Sequence, residues 1–316
     1  MKILITGGRG FIGSKIAEKL CQEHRVTVMD SQEDYGVLTR DQLRALYTWR
    51  ERNWKNVSFV PGDVRDKNDC LKAFSTRPDV VIHLATWPRA KVVNDDPAVG
   101  VPLIINGTVN CLWHCVNFRV KKFVYISSSM VYGDFSDGTK EDANTKPMNL
   151  YGEAKLAGER LTKLINKKDG LDYIIIRPSG VYGPGDLPDR VVPKFFQKAM
   201  TNEPITLHNG DNKVDFTYRQ DAAYGIAKAA LSDQKNVSFN MTAGNAASLR
   251  TLAETIIDIT GSKSELRDVG MHKLYPQRGT LDISRARELL DYNPEFSLRQ
   301  GLESYYDWIR QHTGKV

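Results

Sequence analysis

KILITGGRGFIG, residues 2–13, decides the fold: an apolar run enters a glycine-rich turn, and an amphipathic stretch begins directly after it. Gly7, Gly10 and Gly13 stand at G-x-x-G-x-x-G spacing. Glycines so placed permit a tight turn and bring backbone N–H groups close to a pyrophosphate, whose charge is met by the positive end of the following helix. A glycine triplet alone is weak evidence. Here a second apolar run, RVTVMD at 25–30, ends on Asp30, where a carboxylate can accept from both hydroxyls of an adenosine ribose. That acid repels a 2′-phosphate, and no Lys or Arg follows it before Arg40, so NAD is expected rather than NADP. Arg9, inside the glycine loop, argues the other way.

The alternation continues outward. Candidate strands lie at 57–63, 80–85, 122–129 and 172–178, with candidate helices near 12–23, 66–75, 97–118 and 151–168. Apolar runs this continuous suit strands covered on both faces. Six such strands with crossover helices predict a Rossmann-like, doubly wound parallel α/β sheet with ligands at the carboxyl ends of its strands. Asp63 closes the third strand, where it can meet an adenine amino group or serve as a simple turn residue. Within the long connection at 31–56, TRDQLRALYTWRERNWK reads as a surface helix packing Leu43, Leu46 and Trp49. After Pro178 the character changes to the turn-rich GVYGPGDLPDR, then VVPKFFQKAM, a hairpin-like ITLHNGDNKVDFTY, and helices near 219–231, 248–260, 284–290 and 299–313. The expected organisation is a dinucleotide-binding domain at 1–178, rejoined by part of 214–245, and a smaller interleaved α/β lobe at 179–316.

A chain of 316 residues, 41% hydrophobic and 26% charged, is long enough for one large or two moderate domains. It starts directly on a strand, leaving no room for a signal peptide, and no apolar run approaches the length of a membrane span, so a cytoplasmic protein is expected. The net charge of +6 is dispersed rather than gathered in a tail, which argues against nucleic acid and suits a diphosphate-bearing small substrate. The four cysteines show no C-x-x-C spacing, and Cys111, His114 and Cys115, although able to share a helix face, read as core; no metal is expected.

Chemistry enters with YGEAK, where Tyr151 and Lys155 stand four apart and project from one helix face, and with Ser128 at the end of the preceding strand in YISSSMVYG. Such a trio can take a proton from a hydroxyl while a neighbouring cofactor takes the hydride. The spacing alone proves little, since Tyr224 and Lys228 in AYGIAK share it. A free phenol titrates near ~10 and needs help to act as a base; lowering it by roughly 3 units takes about 4 kcal/mol, which nearby cations can supply.

With GGRGFIG, Asp30, PGDVRD, HLAT, Asn106-Gly107-Thr108, SSSMVYG, YGEAK and RPSGVYGPG in this order, the chain resembles the extended short-chain dehydrogenase/reductases. Within them it is most similar to the nucleotide-sugar epimerase/dehydratase branch typified by UDP-galactose 4-epimerase. The resemblance implies NAD held by Gly7, Gly10, Phe11, Ile12 and Gly13, by Asp30, Asp63 and Val64 after the second and third strands, by Leu84 and Ala85 after the fourth, and by Pro178, Tyr151 and Lys155. It further implies Tyr151 as acid/base, Lys155 on the nicotinamide ribose and lowering the phenol's pKa, and Ser128 polarising the hydroxyl. A nucleoside-diphosphate sugar in the cleft, and a homodimer through the helices near 97–118 and 151–168, complete what it implies.

Three departures bear on the reaction. Acids that assist elimination in relatives are replaced by Ser129 and Met130, which favours epimerisation or simple redox. An R-x-x-N-x-x-G run becomes Arg177-Pro178-Ser179-Gly180, and an R-D-F run becomes Val214-Asp215-Phe216, so substrate phosphates lose two expected partners. Arg190, Lys194, Lys213 and Arg278 are candidate replacements, with Ser128 and Ser129 at the substrate and His208 and Trp87-Pro88-Arg89 at the sugar. The expected activity is NAD-dependent nucleotide-sugar epimerisation at C4 through a 4-keto intermediate. The alternatives are an NAD(P)-dependent dehydrogenase or ketosugar reductase, and a non-catalytic NAD(P)-binding scaffold.

Overall fold

The computed structural model describes residues 1–33, 36–87, 90–270 and 276–312. Strand β1 (Lys2–Thr6) is buried at every residue after Lys2, as its unbroken apolar run requires of a strand covered on both faces. Helix α1 (Phe11–Leu20) follows at once, then β2 (Arg25–Asp30), α2 (Arg40–Glu51), β3 (Ser58–Pro61), α3 (Lys67–Phe74) and β4 (Val80–His83). The short α4 (Ala90–Asp95) leads into α5 (Pro97–Asn117), β5 (Lys122–Ile126), α6 (Leu150–Asp169) and β6 (Asp172–Pro178). Beyond β6 come α7 (Val191–Met200), β7 (Ile205–Leu207), β8 (Lys213–Val214), α8 (Arg219–Leu231) and β9 (Val237–Met241). The chain ends with β10 (Ala247–Ser248), α9 (Leu249–Thr260), β11 (Leu266–Asp268), α10 (Ser284–Leu290) and α11 (Leu298–His312).

The main sheet runs β3-β2-β1-β4-β5-β6-β9, with all neighbours parallel. The chain leaves β1 toward β3 and then crosses back to β4 on the other side of β1. The reversal opens a crevice between β1 and β4 at the carboxyl ends of the strands.

Six strands were expected and seven are present. Val237–Met241 pairs beside β6, although Ser238 and Asn240 interrupt its apolar run. Helix α8 comes back with it: Ala223, Ile226, Ala227 and Ala230 join Ile16, Ala17 and Leu20 of α1 in one apolar cluster against the sheet. The opposite face is sealed by α3 and α5, where Phe74, Cys111 and Cys115 meet Leu4, Val81 and Phe123. A third cluster, including Phe196, Leu207, Phe216, Leu252, Ile256 and Leu302, is the core of the later segments.

Two expectations fail here. ITLHNGDNKVDFTY does not form a hairpin: β7 pairs with β11 and β8 with β10. Asn209 adopts a positive φ, and the turn is satisfied from outside, with Gly210 N–H donating to Asp268 Oδ2 at 2.7 Å and Leu249 N–H to Asn212 O at 3.1 Å. Second, Pro97–Asn117 is by length and composition apolar enough to cross a membrane. Its apolarity has another use, because more than half of its most apolar window is buried and it packs against α3, α4 and α6. Within it Cys111 and Cys115 are core residues, and His114 stacks on Phe74.

Candidate active site

One cavity lies along the carboxyl ends of β1, β2, β4, β5 and β6. Every residue assigned to the cofactor from sequence lines it, from Gly7 through Asp30, Asp63 and Leu84 to Tyr151, Lys155 and Pro178, and so does Ser128. At the loop end, Gly7 has φ +69°, and a side chain there would start 2.8 Å from Ala85 N; at Gly13 a Cβ would stand 2.4 Å from Gly7 O. Only glycine allows the turn to close this tightly onto β4 and α1.

Asp30 completes the loop. Its Oδ2 accepts from Arg9 N–H at 3.0 Å and its Oδ1 from Gln32 N–H at 2.9 Å, so each oxygen keeps a lone pair for a ribose hydroxyl. Burial raises this carboxyl above its ordinary range, opposed by those two amides and by the charges of Arg9 and Arg50. Arg9 does not stand free for a 2′-phosphate: its guanidinium is paired with Glu51 and lies over the rings of Tyr47 and Phe59, at 4.2 and 4.9 Å. Asp63 is engaged by Arg65, whose Nε donates to Oδ2 at 2.9 Å, and still borders the cavity. The residues therefore fit an adenine dinucleotide with unmodified ribose hydroxyls.

At the other end, β5 delivers Ser128 and the N-terminus of α6 delivers Tyr151 and Lys155. Ser128 caps a single 3-10 turn, accepting from Met130 N–H at 3.2 Å, and its hydroxyl faces the Tyr151 phenol and pulls its pKa down. Asn149 caps α6 through Gly152 N–H, which fixes where the helix starts and hence which way Tyr151 points. Lys155 is buried, with Nζ donating to Ile126 O at 2.9 Å. One turn further on, Glu159 forms a bidentate pair with Arg177, at 2.9 and 2.7 Å, and accepts from Ser127 Oγ at 2.6 Å. This buried layer braces β5, β6 and α6 beneath the trio. Glu159 was visible in principle, because it extends the Tyr151–Lys155 series by one more step of four.

Burial raises the Tyr151 phenol, and the groups that oppose it are the Arg190 charge and the Ser128 hydroxyl. The Lys155 Nζ lies 5.9 Å from the centre of the Tyr151 ring, and burial pushes its own ammonium down to about 7, against the pull of Glu159. Arg190, at the start of α7, lines the cavity and lies 4.0 Å from Asp186, whose carboxyl burial pushes up to about 6.

The other substrate candidates do not reach this cavity. Lys194 is on the solvent side of α7, because Val192, Phe195, Phe196 and Ala199 take the buried side. His208 is exposed on the turn after β7, Arg278 is half-buried away from the lining, and Lys213 pairs with Asp137 at 2.9 Å. Ser129 is buried in the 3-10 turn and does not border the cavity. Trp87 packs against the α5 side of the core, whereas Pro88 and Arg89 lie outside the described residues. Helix α2 packs inward through Leu46 and Trp49, which meets Trp308 of α11 at 5.1 Å, and it also reaches the cavity, lined by Leu43, Tyr47 and Arg50, which the surface-helix reading missed.

Residues 3–242 match the NAD-dependent epimerase/dehydratase family. The chain belongs to that family. It is similar to the UDP-glucuronate 4-epimerase of Thermodesulfobacterium geofontis, 30% identical over 98% of this chain and 96% of the relative. Among solved structures it resembles UDP-glucuronic acid 4-epimerase from Bacillus cereus, in complex with UDP-glucuronic acid and NAD, with TM-score 0.89, 29% identity and coverage of 98% and 99%. UDP-glucose 4-epimerase from Thermotoga maritima, with UDP-glucose, gives TM-score 0.88 at 27% identity over 99% and 100% of the two chains. Membership of the family makes NAD the cofactor, in agreement with Asp30 and the engaged Arg9, and places the chain among the extended short-chain dehydrogenase/reductases.

Proposed function

We propose that the protein is a UDP-sugar 4-epimerase. The observation that carries this reading is the meeting of Ser128, Tyr151 and Lys155 at one end of the cavity whose other end is the glycine loop, with no acid at Ser129 or Met130 to promote elimination. The relatives' UDP-sugar chemistry supports the same choice. Ser128 polarises the C4 hydroxyl and Tyr151 takes its proton; the charge of Arg190 favours the phenolate that does so. NAD, once bound, would supply the hydride acceptor and donor. The 4-keto sugar turns over in the pocket, and Tyr151 returns the proton to the opposite epimer. Lys155 holds the nicotinamide ribose. The segments after β6 hold the sugar nucleotide, with Arg190 as a cation for its anionic part.

Purified protein incubated with UDP-glucose, UDP-glucuronate and UDP-N-acetylglucosamine is expected to yield a C4 epimer of at least one, without absorbance rising at 340 nm, and to release NAD on denaturation. Accumulation of NADH would instead make it a dehydrogenase. A homodimer is part of the same reading, because α5 and α6 leave Val109, Trp113, Leu150 and Leu164 exposed. Trp113→Glu is expected to halve the mass measured by light scattering; an unchanged dimer removes α5 from the interface.

A further inference from the structure

Helix α2 ends on Glu51, and an acid on the last residue of a helix stands at the end where the helix dipole disfavours negative charge. Its partner is Arg9, the one cation in the glycine loop GGRGFIG. Arg9 Nε donates to the Glu51 carboxylate and Nη1 donates to Gln32 Oε1 at 2.5 Å, while the guanidinium lies over the rings of Tyr47 and Phe59. The two charged side chains are only 15% and 25% exposed, so the pair is more than a solvated surface contact.

The place of this pair bears on the cofactor. Arg9 is anchored through its own N–H to Asp30 Oδ2 and Gln32 through its N–H to Oδ1, so Arg9 and one of its side-chain acceptors are attached to the two oxygens of the carboxylate placed for the adenosine ribose. Tyr47, which lines the cavity, feels every charge in this group: burial, with Asp30 and Glu51, pushes its phenol up to about 12, and Arg50 and Arg9 oppose the rise. A 2′-phosphate takes the place of one of the hydroxyls offered to Asp30 and would arrive among these groups. An arginine fork is a strong phosphate ligand, but the Arg9 side chain does not border the cavity while Glu51 holds it.

We propose that Glu51 is a positioning residue for cofactor choice: it holds Arg9 against Tyr47 and Phe59, out of reach of a 2′-phosphate. Preference for NAD then rests on two acids, Asp30 by facing the ribose and Glu51 by tethering and neutralising Arg9. The proposal needs only that the chain bind an adenine dinucleotide and is independent of which sugar is turned over.

Cofactor-free protein is titrated calorimetrically with ADP-ribose and with 2′-phospho-ADP-ribose, and the ratio of the two affinities is the readout. Glu51→Gln is expected to narrow the preference for ADP-ribose by about tenfold or more, with ADP-ribose itself held within about threefold of the parent. Adding Arg9→Met to Glu51→Gln is expected to return the ratio to within about twofold of the parent, because the gain runs through the arginine. The same proteins are compared in an Asp30→Ser background, which removes the direct repulsion and brings the phosphorylated ligand into range. A ratio that Glu51→Gln leaves unchanged in both backgrounds overturns the proposal, and so does a gain that persists without Arg9, which would make Glu51 a direct repellent of the phosphate.

Discussion

Helices α6 and α8 both carry a tyrosine and a lysine four residues apart, yet only the α6 pair lines the cofactor cavity. On α6, Lys155 is 3% exposed and bound to a strand carbonyl, and Tyr151 faces Ser128 and Arg190. On α8, Tyr224 is half-buried with the ammonium groups of Lys15 and Lys19 over its ring, and Lys228 reaches out to Asp291 Oδ2 at 3.1 Å. Spacing gives both pairs a common helix face. What separates them is where the helix begins: α6 starts beside the carboxyl end of β5, while the α8 pair sits in the middle of a helix packed on α1. A reactive pair therefore needs a helix start directed at a strand end as well as the right residue types.

The comparison is open to attack at each level. The largest effect belongs to Tyr151→Phe, expected to lower epimerisation by ~10² to 10⁴-fold with bound NAD retained, whereas Tyr224→Phe stays near the parent rate. Rates of epimer formation measure both, and a fully active Tyr151→Phe enzyme would erase the distinction between the helices. Next, α6 has the bracing layer that α8 lacks. Glu159→Ala leaves Arg177 as an uncompensated buried charge and is expected to cost about 3–5 kcal/mol in urea unfolding.

A smaller effect is set by pH. The Lys155 ammonium titrates near 7 when folded and near the ordinary 10.5 when unfolded, so between those values the unfolded chain binds more protons. Stability of the cofactor-free protein attributable to this group therefore rises from about pH 7 to pH 10 and is flat below 7. Urea midpoints across that range should show the slope, and Lys155→Met should remove it. Smallest of all, Lys228→Met loses an exposed pair and should change stability by no more than about 0.5 kcal/mol. A larger loss would mean the surface pair is more than a surface pair.

How much of this could be read from residues alone follows the same divide. The unbroken runs at 2–6, 80–83 and 172–178 announced a doubly covered sheet, and glycines followed by Asp30 announced what it binds, because backbone geometry leaves few options there. The return of part of 214–245 was expected, but β9 itself could not be picked out, because Asn240 is polar yet buried, its side-chain oxygen accepting from Tyr132 at 2.7 Å, a partner 108 residues away. Arg50 was hidden for the converse reason. An arginine in a basic helix reads as solvated, and a carbonyl it donates to, Gly185 O, lies far along the chain in the 184–185 turn. Among the substrate candidates, Arg190 and Lys194 differ by one helical turn, and the side of α7 taken by Phe195 and Phe196 decides between them.

The late return of α8 and β9 has a consequence for synthesis. Ile16, Ala17 and Leu20 of α1 have their covering helix only after residue 231, and β6 has its outer neighbour only after residue 241. A nascent chain that has emerged as far as Pro178 carries every residue of the glycine loop and the trio, but with one flank of its sheet bare. Because Ile283, Ala286, Leu290 and Tyr292 join the same cluster, this flank is complete only once residue 292 has been made, and a chain ending at Pro178 is expected to be a sticky half-product rather than an independent cofactor-binding module.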